Sequence, residues 1–193
     1  MRKIALLNGP PYSGKDTAAR FLEREYGYVA PYYAAVFKFS TPLKNACASF
    51  FNIRDTERRA FEQDKERPQP VLCDMSWRQA QISMSEDWAK HKFGPDVFGR
   101  LMINQIEASA ARLCIISDSG FEVEAWPLIH EYGIKNCLNV HLSRDGCTFE
   151  NDSRSYWEID GMTTVDVNNR LSLDMFDHQI CRVVQQWLQP RQS

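Results

Sequence analysis

The stretch Ile4-Ala5-Leu6-Leu7-Asn8-Gly9-Pro10-Pro11-Tyr12-Ser13-Gly14-Lys15-Asp16-Thr17 decides the fold. Its opening run is short and apolar, as a strand buried on both faces requires. Gly9 to Thr17 then carry the spacing G-x-x-x-x-G-K-x-T. Ala18, Ala19, Phe21 and Leu22 follow at helical intervals and Gly27 ends the pattern, so Lys15–Tyr26 reads as a helix. Strand, glycine-rich loop and helix in that order form the context of a phosphate cradle. Triphosphate oxygens are strongly negative, so such a loop must aim backbone N–H groups at them. Gly9 and Gly14 permit the tight turn and the close approach of backbone to phosphate. Lys15 adds a point charge over the β- and γ-phosphates, and the helix adds its positive end. The ATP-binding candidates are therefore Gly9, Tyr12, Ser13, Gly14, Lys15, Asp16 and Thr17. Asp16 stands where a hydroxyl residue usually follows the lysine, so Thr17 is expected to reach magnesium largely through water.

Outward from this loop, strand and helix patterns alternate. Residues 39–51 read as a helix capped by Ser40 or Thr41 with Pro42 in its first turn. Residues 52–70 are highly charged and end in prolines, which predicts an exposed loop or a mobile helical flap. Residues 76–91, 98–112 and 121–132 read as helices; 113–117, 136–142 and 163–168 read as strands. Residues 145–160 are polar and irregular, as in a loop over a site, and 171–188 form a last helix capped near Ser172 or Asp174. Residues 190–193 are expected to fray. Strands separated by helices imply an α/β fold of three layers, a parallel sheet covered by helices on both faces, in a single domain over 1–193.

Composition limits the function classes. The chain has 193 residues, 44% hydrophobic and 25% charged, with a formal net charge of -2. That balance disfavours a protein that grips duplex DNA with a whole face. Six cysteines show neither Cys-x-x-Cys pairing nor zinc spacing, so neither a disulfide framework nor a structural metal is expected. No apolar run approaches membrane-spanning length, which predicts a cytoplasmic protein with no membrane partner.

Further site candidates come from strand ends and arginines. Asp118 ends an apolar strand, and strand C-termini face the crevice of an open parallel sheet. A carboxylate there could order magnesium waters, accept a proton, or simply cap the next helix. Arg144 and Arg154 flank the polar loop, where solvated loop charge is the plain reading. Lys44, Arg78 and Arg100 are candidates to hold an anionic acceptor, and Phe39 and Tyr33 to stack on its base or to pack in the core. Trp77, Met84 and Trp88 share one face at helical spacing, which points to core or a homodimer contact. The four histidines are scattered and none receives a catalytic role.

The loop Gly9 to Thr17, with its Ser-Gly-Lys-Asp-Thr core, resembles that of the phage deoxynucleoside monophosphate kinases, relatives of adenylate and phosphomevalonate kinases. The resemblance continues weakly along most of the chain. Phe39-Ser40-Thr41-Pro42-Leu43-Lys44 is similar to the segment opening the family's second helix. Ser76-Trp77-Arg78-Gln79 and Phe93-Gly94-Pro95-Asp96-Val97-Phe98 are similar to its arginine-bearing helix and the stretch after it. Ile115-Ile116-Ser117-Asp118 and Leu142-Ser143-Arg144 are similar to its strands ending in Asp and in Arg.

The resemblance implies a P-loop kinase fold with an acceptor-binding helical region over about 32–100 and a short lid over about 144–160. It implies transfer from ATP, with Mg2+, to a small deoxynucleotide in host cytoplasm, with Lys15, Asp118, Arg144 and Arg154 catalytic; lid arginines of the resembling kinases clamp the transferring phosphoryl group or stack on adenine, which adds Arg144 to the ATP-binding candidates. Thr17 and Asp118 would serve the metal, directly or through water. The pattern departs at Gly120, where the family has an arginine expected to help hold the acceptor phosphate. A second expectation keeps the donor site but uses a hydroxyl acceptor, such as 5-hydroxymethyluracil in phage DNA, with Asp118 as base. A third is a nucleotide-binding protein without turnover.

Overall fold

The computed structural model describes residues 1–189; the fraying expected of 190–193 falls outside them. Five strands are present: β1 (Lys3–Asn8), β2 (Ala34–Phe37), β3 (Leu113–Ser119), β4 (Cys137–Ser143) and β5 (Thr163–Asn168). They pair in parallel in the order β2-β3-β1-β4-β5. The fold is thus α/β with a parallel sheet between helical layers. β1 lies at the centre; the chain builds β2 and then β3 on one side of it before crossing to β4 and β5 on the other. This reversal opens a crevice at the strand C-termini.

Alternation along β1 explains why its run is apolar throughout. Ile4 and Leu6 enter one core with Met102 and Ile106 of α6 (Val97–Glu107) and Ala125 and Leu128 of α7 (Glu122–Tyr132). Ala5 and Leu7 enter the opposite core with Ala18 and Leu22 of α1 (Lys15–Tyr26) and Phe176, Ile180 and Val184 of α8 (Leu173–Leu188). Both faces exclude water, so the run from Ile4 to Leu7 is apolar.

A third, smaller cluster joins α2 (Ser40–Phe50), α3 (Asp55–Gln63) and α4 (Trp77–Ser83) around the fully buried Trp77, with Phe61, Leu72, Cys47 and Ala80. The charged stretch after residue 52 is thus partly helical, because Phe61 gives α3 one apolar contact with Trp77. The helix that begins with α4 continues through a π-helical segment, Met84–Lys90, into α5 (His91–Phe93). Widened π turns break the 3.6-residue register. The face expected to join Trp77 and Trp88 is accordingly split: Trp77 is buried, whereas Trp88 is exposed and packs edge-on against Phe93 at 5.3 Å.

All six cysteines are free. Among the described residues, no helix is long and apolar enough to cross a membrane.

Candidate active site

The turn after β1 is shaped by its glycines and by what packs behind it. Gly14 has φ 107 and ψ 13, a left-handed conformation that strains a residue bearing Cβ. A Cβ at Gly14 would also sit 2.6 Å from Nδ2 of Asn169, which donates to the Ser13 carbonyl at 3.1 Å. A Cβ at Gly9 would lie 2.7 Å from Ser13 Oγ and closer still to the Leu142 carbonyl oxygen. The ends of β4 and β5 therefore brace the loop from behind.

Its front is unsatisfied. The N–H groups of Gly14, Lys15, Asp16 and Thr17 meet no acceptor among the described residues. They are the orphan donors of a helix N-terminus, gathered at the positive end of α1. Lys15 Nζ donates to the carbonyls of Gly9 at 2.6 Å and Pro10 at 2.7 Å and touches no carboxylate. Burial, then the charge of Arg154, lowers its pKa to about 8. A desolvated cation beside four unpaired donors is an anion site.

Asp16 turns away from that role. Burial opposes its ionisation, but Lys38 Nζ at 2.6 Å and the Ser117 hydroxyl at 3.2 Å outweigh it and hold its pKa low. Asp16 thus ties the loop to the residue after β2. Thr17 lines the cleft and accepts from Arg20 at 3.4 Å, Tyr12 projects at the rim, and Ser13 is buried beneath the loop.

In front of the loop lies a cleft of about 1010 Å³. Eight Lys or Arg side chains and five Asp or Glu side chains line it, although the whole chain is formally -2. Positive charge is concentrated where anions would sit.

Asp118 has a structural role that sequence analysis assigned differently. Its two carboxylate oxygens accept from Phe39 N at 2.7 Å and Ser40 N at 3.0 Å. The carboxylate at the end of β3 therefore caps α2, not the helix that follows it. Ser40 lies inside α2, and the N-cap residue Phe39 makes no side-chain cap, so the expected Ser40 or Thr41 cap is replaced by a tertiary one. Among the described residues, no group of three or more His, Cys, Asp or Glu could hold a metal ion.

The polar segment over the site is half anchored. Asn8 Nδ2 donates to the Ser155 carbonyl at 3.0 Å, and Asn139 Nδ2 donates to that of Trp157 at 2.7 Å. His141 Nε2 lies 2.9 Å from the same Trp157 oxygen, and the Tyr156 hydroxyl donates to the Leu142 carbonyl at 2.9 Å. Trp157, Ile159 and Met162 belong to the core. The lid expected over 144–160 is thus fastened to the sheet from residue 155 onward. Replacing His141 with alanine removes one of these contacts and should lower stability by about 1–2 kcal/mol, read in urea unfolding. Faster proteolysis near Tyr156 should accompany that loss.

Arg144 and Arg154 both line the cleft. Arg154 is held by Asp152, which accepts from its Nε at 2.8 Å and its Nη2 at 2.5 Å. On the far side Lys44 and Arg78 line the cleft, but each is already paired. Lys44 donates to Glu62 at 2.9 Å, and Arg78 pairs with Glu66. Partial burial of Glu62 would raise its pKa, yet hydrogen bonds from Lys44 and Trp77 bring it down to about 2.

Three acceptor candidates are displaced. Arg100 points away from the cleft to Asp96 and the Phe93 carbonyl. Phe39 touches the cleft but is only 3% exposed and belongs to the core. Tyr33 is exposed, at φ 43, and is not among the cleft residues.

Solved structures similar in overall topology include kinases. A sugar kinase from Janibacter sp. HTCC2649 is 12% identical, with 96% of this chain and 95% of that one covered and a TM-score of 0.48. The protein TT1252 from Thermus thermophilus is 17% identical, with 98% and 99% covered and a TM-score of 0.49. Thymidylate kinase from Candida albicans is 12% identical, with 96% and 92% covered and a TM-score of 0.43. No family model and no curated protein matches the chain. The chemistry of the site therefore rests on this chain's own residues.

Sequence analysis missed three of those residues. Lys38 and Asp152 act through partners, and only Asp152, two positions before Arg154, carried a local signal. Glu124 of α7 is buried yet lines the cleft, and its carboxylate meets no hydrogen-bond donor among the described residues. Burial, followed by the charge of Asp118, raises its pKa to about 8. Its signal was an acidic residue beside the apolar positions Ala125 and Leu128.

Proposed function

We propose that this chain is an ATP-dependent phosphotransferase that passes the γ-phosphoryl group to a deoxynucleotide, foremost a deoxynucleoside monophosphate, yielding ADP and a deoxynucleoside diphosphate. One observation carries the reading: four unpaired N–H groups and a half-buried Lys15 face a cationic cleft. An oxygen of the acceptor phosphate attacks the γ-phosphorus. The bond to the β–γ bridging oxygen breaks, and ADP leaves with the electron pair. The attacking oxygen is already anionic, so no base is required, and catalysis reduces to positioning and charge neutralisation.

Lys15 and the loop hold the donor phosphates, while Arg144 and Arg154 meet the transferring group. Lys44 and Arg78 supply the acceptor side, exchanging their carboxylate partners for phosphate. Magnesium, when bound, spreads the negative charge of the phosphates. The side chains present fit an ion that arrives on the nucleotide, because Thr17 faces the cleft while both oxygens of Asp118 are engaged.

The test is a transfer screen with γ-labelled ATP. It presents the four common deoxynucleoside monophosphates, 5-hydroxymethyl-dUMP, and DNA containing 5-hydroxymethyluracil. Label on a mononucleotide supports the reading; label on DNA alone, or on nothing, overturns it.

Glu124 favours a second reading, in which the acceptor is the hydroxyl of a 5-hydroxymethyl pyrimidine in DNA. Such a hydroxyl must lose its proton as its oxygen bonds to phosphorus, and Asp118, committed to α2, is poorly placed to take it. Glu124 is unpartnered and titrates in the range of a useful base. On this reading, activity rises with pH through about 8 as Glu124 loses its proton. Glu124→Gln then lowers transfer to the hydroxyl by about 10²–10⁴-fold. Transfer to a monophosphate would change little. Equal losses with both acceptors would remove the base role.

A further inference from the structure

Gly120 follows β3 directly and is not among the positive-φ residues, so its backbone conformation does not call for glycine. Its lack of a side chain has another consequence. A Cβ there would lie 2.6 Å from Arg154 Cγ and 3.2 Å from Arg154 Cβ, and closer still to Cδ. The aliphatic arm of Arg154 thus lies flat on Gly120, across the end of the strand that carries Asp118.

Asp152 holds the other end of the arginine. Besides Nε and Nη2, it accepts from the Arg154 backbone N–H at 3.0 Å. Three of the five guanidinium N–H donors then have no acceptor among the described residues. The next three residues are fastened to the sheet through Asn8, Leu142, Asn139 and His141. The charge of Arg154 is felt at Lys15, so two cations line one cleft, with the carboxylates of Asp16, Asp152 and Asp118 only partly offsetting them at Lys15.

We propose that Gly120 and Asp152 are positioning residues that seat Arg154 as a pre-placed clamp for the transferring phosphoryl group, rather than an arm that swings in on closure. The inference rests on the phosphotransferase reading. Fixing the arm in advance removes the cost of ordering a long side chain during transfer.

The experiment compares full-length wild type, Gly120→Ala, Asp152→Asn, Arg154→Ala and the double variant Gly120→Ala/Arg154→Ala. Turnover and KM are measured with ATP and the accepted nucleotide, together with calorimetric affinity for a non-hydrolysable ATP analogue and the melting temperature. Gly120→Ala adds one methyl group against a flexible side chain, so the melting temperature should hold while kcat falls about 10–100-fold through misplacement of the guanidinium. Asp152→Asn should lower kcat in the same direction.

In the Arg154→Ala background, Gly120→Ala should cost less than about two-fold, the signature of action through the arginine. An undiminished loss in that background means that Gly120 acts on ligand or backbone directly, and it overturns the proposal. So does full activity of Gly120→Ala. Should wild type transfer to no acceptor, the phosphotransferase reading fails separately. The seat is then judged by analogue affinity, which Gly120→Ala should lower about 10-fold alone and leave unchanged beside Arg154→Ala. Equal affinity losses in both backgrounds, or none in either, overturn it.

Discussion

Replacing Lys15 with alanine is expected to lower phosphoryl transfer by at least about 10²–10³-fold while the chain still folds. The side chain meets only the carbonyls of its own loop, so its removal strands no carboxylate and opens no core cavity. What disappears is the ammonium seated on the loop beside the four unpaired N–H groups. Turnover within a few-fold of wild type would refute the phosphate assignment.

Charge gives a second readout. The pKa of Lys15 is lowered to about 8 by burial and then by Arg154, so the folded state carries a penalty for the protonated form. Below pH 8 the folded and unfolded chains both hold the proton, and the penalty is complete. Between pH 8 and the ordinary lysine value of about 10.4, the unfolded chain holds a proton that the folded chain has released, and stability rises with pH. Lys15→Met should therefore melt above wild type at pH 7, with the gap closing towards pH 10. At pH 8, ATP binding should draw in about half a proton as the triphosphate restores the charge. Calorimetry in buffers of different ionisation enthalpy measures that uptake, and a gap that widened with pH would invert the argument.

Asp118→Ala should cost about 2–4 kcal/mol of stability, because it strands the Phe39 and Ser40 N–H groups together at the start of α2. Transfer should fall as well, since the start of α2 and the end of β3 both line the cleft. Asp118→Asn retains one acceptor oxygen and should recover part of the stability. Urea unfolding of the three proteins tests the order wild type, Asn, Ala. If alanine unfolds at the same urea concentration as wild type, the cap is not what holds α2 in place.

The reading of Asp118 shows where local reasoning stopped. Its place at a strand end was visible, but its partners lie 78 and 79 residues earlier in the chain. The same limit hid β2, whose four residues Ala34-Ala35-Val36-Phe37 open with two alanines and become a strand by pairing with β3. It also hid the π-helical segment that turns Trp88 away from Trp77; a helix in the charged stretch was one of the two forms expected, and Phe61 meeting Trp77 decides for it. By contrast, α1 was predicted over Lys15–Tyr26 and is observed there, and the cap of α8 at Ser172 was also foreseen.

The sequence by itself determined the strand–loop–helix at the N-terminus and the alternation that makes a parallel sheet. Glycine stops, helical periodicity and two-sided burial act over a few neighbouring residues. Only the tertiary structure decided that Asp118 caps α2, that Glu124 reaches the cleft, that Arg100 does not, and that Arg154 rests on Gly120. Those outcomes depend on which distant groups share a space, and on the cost of leaving a buried donor or charge there without a partner.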